Sequence, residues 1–153
     1  MRVNDNNRIP KLIKVLKELS KKHVEIGVFG DNNRWFLYMV ARVHEFGTDI
    51  KVTPRMRAFF AYQGHPLKSE TKRIHIPERS FIRTAHDENI KALESYMEKL
   101  LVGVLELKMS ADQFYEKVGE WMVEKIQQKI TDVGLVKTGA LRDSITYRVV
   151  EDK

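Results

Sequence analysis

The chain has 153 residues, 27 Lys+Arg against 21 Asp+Glu for a net charge of +6, and no cysteine. The length suits one domain, with ~68–70% of the unfolded surface buried on folding, and 42% hydrophobic with 31% charged residues is a folding composition, not a disordered one. The absence of thiols excludes disulfides, thiolate zinc and iron–sulfur sites and a cysteine nucleophile, and no apolar run nears the ~18–20 residues of a membrane span.

The lack of cysteine fits synthesis in a reducing cytoplasm, and the segment Met1 to Ile9 is polar and lacks a signal peptide's apolar stretch. Ile9-Pro10 opens the first helix, since proline costs nothing in a first turn whose N–H has no partner. Ile9, Leu12, Ile13, Leu16 and Leu19 follow the 3.6-residue period, with Lys11, Lys14 and Lys17 opposite, and the helix is expected to stop near Lys22. Val24, Ile26 and Val28 alternate with Glu25 and Gly27 as a strand, and Gly30-Asp31-Asn32-Asn33 reads as a turn. Trp35 to Phe46, rich in large apolar residues, reads as a short buried helix that Gly47 ends in the left-handed conformation. Ile50 and Val52 alternate with Asp49 and Lys51 as a second strand. Thr53-Pro54 then caps a short helix running to Gly64.

His65 to Lys72 is a polar loop, and Arg73 to Ile76 a short strand stopped by Pro77. Ser80 or Asp87 is placed to cap a long helix to Lys108, with a stripe of Ile90, Leu93, Met97, Leu100 or Leu101, Val104 and Leu107. Ser110 with Gln113 is a capping-box pattern for a second long helix, with a stripe of Phe114, Val118, Trp121, Met122, Ile126 and Ile130 ending before Gly134. The two helices are expected to form an antiparallel pair. Thr138 to Leu141 reads as a turn or one helical turn, and Ser144 to Val150 as a final strand. These elements predict a single α+β domain over 1–153: a small, mostly antiparallel sheet of three to four strands packed against two long helices, with short additional helices.

Chemistry is sparse. His44-Glu45 lacks the second histidine a zinc-protease helix needs, because Thr48 stands at the fourth position. His23, His65, His75 and His86 have no ligand spacing, Gly27 and Gly30 open no phosphate-binding loop, and Ser80, Ser110 and Ser144 sit in no nucleophile elbow. No catalytic residue, metal site or cofactor is assigned, and the chain is not expected to be an enzyme. Charge carries more information. Residues 1–83 hold 17 basic and 8 acidic side chains, residues 84–153 hold 10 and 13. A basic part joined to a mildly acidic one suits nucleic acid, or head-to-tail pairing of copies. A basic DNA- or RNA-binding accessory protein is therefore the alternative reading, with Arg55, Arg57, Arg79 and Arg83 as residues that could meet phosphates.

Three segments, in order, resemble a family. They are Ala41-Arg42-Val43-His44-Glu45-Phe46-Gly47-Thr48, then Ile74-His75-Ile76-Pro77-Glu78-Arg79-Ser80-Phe81-Ile82-Arg83 leading into a long helix, then Thr138-Gly139-Ala140-Leu141-Arg142-Asp143-Ser144-Ile145-Thr146 before a terminal strand. Together, over about residues 24–150, they are similar to the tail-completion and virion-morphogenesis proteins of tailed bacteriophages. Thr53-Pro54-Arg55-Met56-Arg57 with the polar loop to Lys72 looks like the variant of contractile-tailed phages and prophages. The stretch Thr131 to Lys137 is shorter than the proline-rich loop of some members.

The resemblance implies a structural virion protein at the head-proximal end of the tail, made in the host cytoplasm and incorporated into the neck. It implies a ring of copies, a hexamer at family level, that docks on tail tube or terminator and head–tail connector proteins, with passing DNA as a further partner and no membrane. Glu45, Phe46, Thr48, Arg79, Arg83, Arg142 and Asp143 are the expected subunit-interface residues. Phe46 is also expected to be buried, Arg79 and Arg83 to share one helix face, and Arg142 and Asp143 to stay exposed. Arg55 and Arg57 are the expected DNA-channel residues.

Overall fold

The computed structural model describes residues 7–30 and 35–152. Most of the turn expected at Gly30-Asp31-Asn32-Asn33 lies outside the described residues. The elements are α1 (Ile9–Leu19), β1 (Lys22–Gly27), α2 (Trp35–Phe46), β2 (Thr48–Lys51), α3 (Pro54–Tyr62), β3 (Arg73–Ile76), α4 (Ile82–Leu105), α5 (Ala111–Asp132), α6 (Ala140–Asp143) and β4 (Thr146–Glu151). They fall into two compact units. One joins the segment up to Phe29 with the segment from Phe81 onward, and the other is Gly30–Ser80.

The first unit is built on α5. Ser110 Oγ accepts from the Gln113 N–H at 3.2 Å while the Gln113 side chain accepts from the Ser110 N–H at 3.0 Å, so the capping box forms as its pattern requires. From that start Phe114, Val118, Met122, Ile126 and Ile130 fall on one buried face. Helix α4 runs antiparallel beside α5: Val104 clusters with Phe114 and Val118, Tyr96 stacks on Trp121, and Glu88 pairs with Lys129. Leu107, at φ 61°, helps turn the chain from one helix to the next.

Strand β1 pairs antiparallel with β4, from Lys22 opposite Glu151 to Gly27 opposite Thr146, and both strands pack on α5. Gly119 lets the helix approach: a Cβ there would lie 2.5 Å from Tyr147 Cγ. Helix α1 rests on this unit through Val15 and Leu19. Ile9, Ile13 and Leu16 of its expected stripe are exposed, because the helix seats through Leu19 and Val15, which lies beside that stripe.

The second unit is an α-helix followed by a two-stranded pair. Strand β2 lies antiparallel to β3, with Thr48 opposite Ile76 and Lys51 opposite Arg73. Helix α3 fills the connection; the Thr53 hydroxyl caps it by accepting from the Met56 N–H, with Pro54 in its first turn. Gly47, at φ +66°, ends α2 as its sequence position requires, and a Cβ there would lie 2.8 Å from Glu78 N.

The fold class is therefore α+β; among the described residues the four strands are all antiparallel and two helices are long. The expected single sheet is replaced by two separate two-stranded ones, β1–β4 and β2–β3. The short strands β2 and β3 flank α3 and satisfy each other's backbone groups locally. Strands β1 and β4 pack mainly on α5, and α4 packs along α5. Helix α4 also starts earlier than Asp87, at Ile82 behind Phe81, and neither Ser80 nor Asp87 caps it.

Candidate functional site

The feature that stands out in the second unit is the outward face of α2. At 100° per residue, Trp35, Met39, Arg42 and Phe46 share one side of the helix, with Phe36 and Val43 flanking them. Trp35 is 61% exposed, Phe36 74%, Met39 38% and Phe46 61%. The expectation of a buried helix, and of a buried Phe46, is corrected. Only Ala41 and Glu45 of α2 are buried, because apolar residues occupy its whole circumference and a two-stranded pair with one short helix can cover only part of it. Trp35 stacks on Tyr38, ring centroids 5.3 Å apart, which presents the indole as an ordered surface. At the other end of the helix Met39, Arg42, Val43, Phe46, Gly47 and Thr48 line an open hollow of about 460 Å³.

The Glu45-Phe46-Gly47-Thr48 segment divides its side chains between inside and outside. Glu45 is only 4% exposed, and its Oε1 accepts from Ser80 Oγ at 2.7 Å. It ties α2 to the segment after β3. Phe46 points outward, and Thr48 is half-buried at the start of β2. The Arg79 N–H donates to the His44 carbonyl at 2.8 Å, a second tie between the same two segments. His44 is half-buried, and its Nδ1 is buried without a hydrogen-bond partner. Burial, then the nearby Arg79 charge, pushes the His44 pKa below the usual imidazole range.

The arginines sort differently from expectation. Arg57 Nη1 donates to the Lys68 carbonyl at 2.9 Å, and Nη2 to those of Ser69 at 3.1 Å and Thr71 at 2.5 Å. Its guanidinium clamps its own loop, so its donors are engaged within the chain. Arg55 is exposed on α3. Arg79 precedes α4, which begins at Ile82, so it does not share a helix face with Arg83. Arg83 is exposed in the first turn of α4 and borders a hollow of about 300 Å³ with Ile82, His86 and Asp87 above Val24 and Ile126. Arg142 Nε donates to Asp143 Oδ1 at 2.9 Å, so these two pair with each other, Asp143 exposed and Arg142 half-buried.

Sequence reasoning placed Trp35, Phe36 and Met39 in the core and gave Arg42 no role. The available signal was that the apolar residues of 35–46 do not confine themselves to one stripe. Among the described residues no group of three or more His, Cys, Asp or Glu could hold a metal ion, and no helix is long and apolar enough to cross a membrane. Comparison of the chain with known protein families, curated proteins and solved structures finds no match.

Proposed function

We propose that this chain is a structural protein of a tailed-bacteriophage particle, acting at the head-proximal end of the tail by forming a ring that binds neck and tail components. The observation that carries the binding reading is the outward face of α2, which exposes three aromatic rings, a methionine and Arg42. Contiguous exposed apolar surface of this kind marks a contact with another macromolecule, and aromatic, Met and Arg side chains are the types enriched at such contacts.

The phage assignment is supported by the three ordered motifs. Each lies at a junction between a helix and a strand: α2 into β2, β3 towards α4, and α6 into β4. A head-to-tail ring needs two different complementary patches on each copy, and the uneven charge along the chain provides for that.

The test is the composition of purified particles from the producing culture. The chain is expected in intact virions or tail-like particles at a fixed copy number, next to the tail tube. Its absence from intact particles overturns the proposal. The nucleic-acid reading draws on one specific feature, the exposed row Lys11, Lys14, Lys17 and Lys21 along α1 and just after it. Binding to random duplex that falls steeply with added salt, in a chain absent from particles, would favour that reading instead.

A further inference from the structure

A second helix carries a stripe that matches α2. On α4, Glu94, Glu98, Leu101 and Leu105 repeat at i, i+4, i+7 and i+11, with Val102 beside them, and all five are exposed. On α2, Trp35, Met39, Arg42 and Phe46 repeat at the same spacing and are also exposed. Each stripe spans about 16 Å at ~1.5 Å per residue. Laid antiparallel, Trp35 meets Leu105, Met39 meets Leu101, and Arg42 meets Glu98. Trp35 and Met39 fall on the apolar end of the α4 stripe, the single cation of α2 falls on a carboxylate, and Phe46 lies over Glu94. Paired in parallel, only Phe46 on Leu105 would match, while Arg42 would face Leu101, and Trp35 and Met39 would face Glu94 and Glu98. The geometry points to a heterologous contact in which α2 of one copy docks antiparallel along α4 of a second copy.

The contact rests on the reading of this chain as a self-assembling protein and names the surfaces that do the assembling. A twofold α2-to-α2 contact would set Arg42 near its own equivalent and leave the acidic part of the α4 stripe without a cation. The α2-to-α4 contact avoids both. Because donor and acceptor surfaces differ, each copy keeps one of each unused, and successive copies close into a ring or extend into a filament. Ridges formed by residues three and four apart allow two such helices to pack at ~8–10 Å between axes.

The natural absence of cysteine makes the test clean. Met39→Cys and Leu101→Cys are prepared as separate full-length variants and mixed under mild oxidation. A disulfide-linked dimer is expected from the mixture and from neither variant alone. In parallel, Arg42→Glu and Glu98→Arg are each expected to weaken assembly measured by light scattering roughly tenfold, and the double variant to regain it. Circular dichroism confirms that each variant is folded, and the two charge changes report from different units, so misfolding of one does not decide the outcome.

Linking by Met39→Cys alone means a twofold contact and overturns the proposal. So does a disulfide formed within one chain when both cysteines are introduced together. Assembly unaffected by either charge reversal overturns it while leaving ring formation intact. A chain that stays monomeric, with no linked copies in the mixture, also overturns it, whereas the phage reading is decided separately by the particles.

Discussion

Gly119 and Tyr147 stand so close that a Cβ on residue 119 would lie 2.5 Å from the ring's Cγ and 3.0 Å from its Cβ. A change of rotamer about χ1 moves the ring and its Cγ but leaves the Tyr147 Cβ, fixed by the backbone, at 3.0 Å. Gly119→Ala gains up to ~1 kcal/mol of helix propensity but overpacks the α5–β4 contact at a cost of ~1–3 kcal/mol. A net loss of stability is expected in urea denaturation. Gly103→Ala is the control. Its Cβ would meet Met109 at 3.6 and 3.7 Å, ordinary contact distances, so the propensity term prevails and ~0.5–1 kcal/mol of stability is gained.

Ser80→Ala removes a donor from Glu45, which is buried with its Oε1 2.7 Å from the serine hydroxyl. Withdrawing a hydrogen bond from a buried acceptor costs ~1–3 kcal/mol. The loss should appear as faster amide exchange at the C-terminal end of α2 and in β3. Ser80→Thr, which keeps the hydroxyl, should retain most of the protection.

His44 makes the second unit acid-sensitive. Its folded pKa lies below the ordinary value because burial, and then Arg79, disfavour the charged ring. The unfolded chain binds the proton more readily, so this contribution to stability is complete above ~6.5. It is lost progressively as pH falls through that value and then through the lower folded one. His44→Gln should flatten the pH profile of unfolding on the acid side of ~6.5 relative to the unaltered chain. An unchanged difference between the two across that range contradicts the assignment.

Arg57 is expected to act through its loop. Arg57→Ala releases three carbonyls at residues 68, 69 and 71 and should make the 65–72 segment the first site cut by limited proteolysis. Arg57→Lys should rescue little, because an ammonium cannot reproduce the planar fork that reaches several acceptors at once. Loss of function in Arg57 variants would therefore reflect loop order. Arg55, exposed on the same helix, is the residue whose charge reversal reports on contact with DNA.

Local signals in the sequence were legible and long-range ones were not. The caps at Thr53 and Ser110 and the left-handed Gly47 depend on a few adjacent residues, and they sit where those residues require. The α5 stripe was readable because its apolar period is regular from Phe114 to Ile130. The split into two sheets was not, since nothing in Lys22–Gly27 records that its partner is Thr146–Glu151. The start of α4 was misread because Ser80 looks like a cap, while its hydroxyl is committed to Glu45, thirty-five positions earlier. The site was half legible. Phe46 was singled out for contact with a neighbour, but its companions Trp35, Phe36 and Met39 are chemically indistinguishable from core residues until the small size of the second unit is known.

The pairing of β1 with β4 has a consequence for biosynthesis. Glu25 and Arg148, ion-paired across the two strands, are 123 residues apart in the chain. On the ribosome, β1 emerges long before its complement and spends most of translation as an open edge, the kind of surface that invites mispairing with other chains. The β2–β3 pair spans only Thr48 to Ile76 and can close while synthesis continues. Nascent chains stalled before Thr146 should therefore hold an ordered second unit beside an incomplete first one, and should need a chaperone more than the finished polypeptide does.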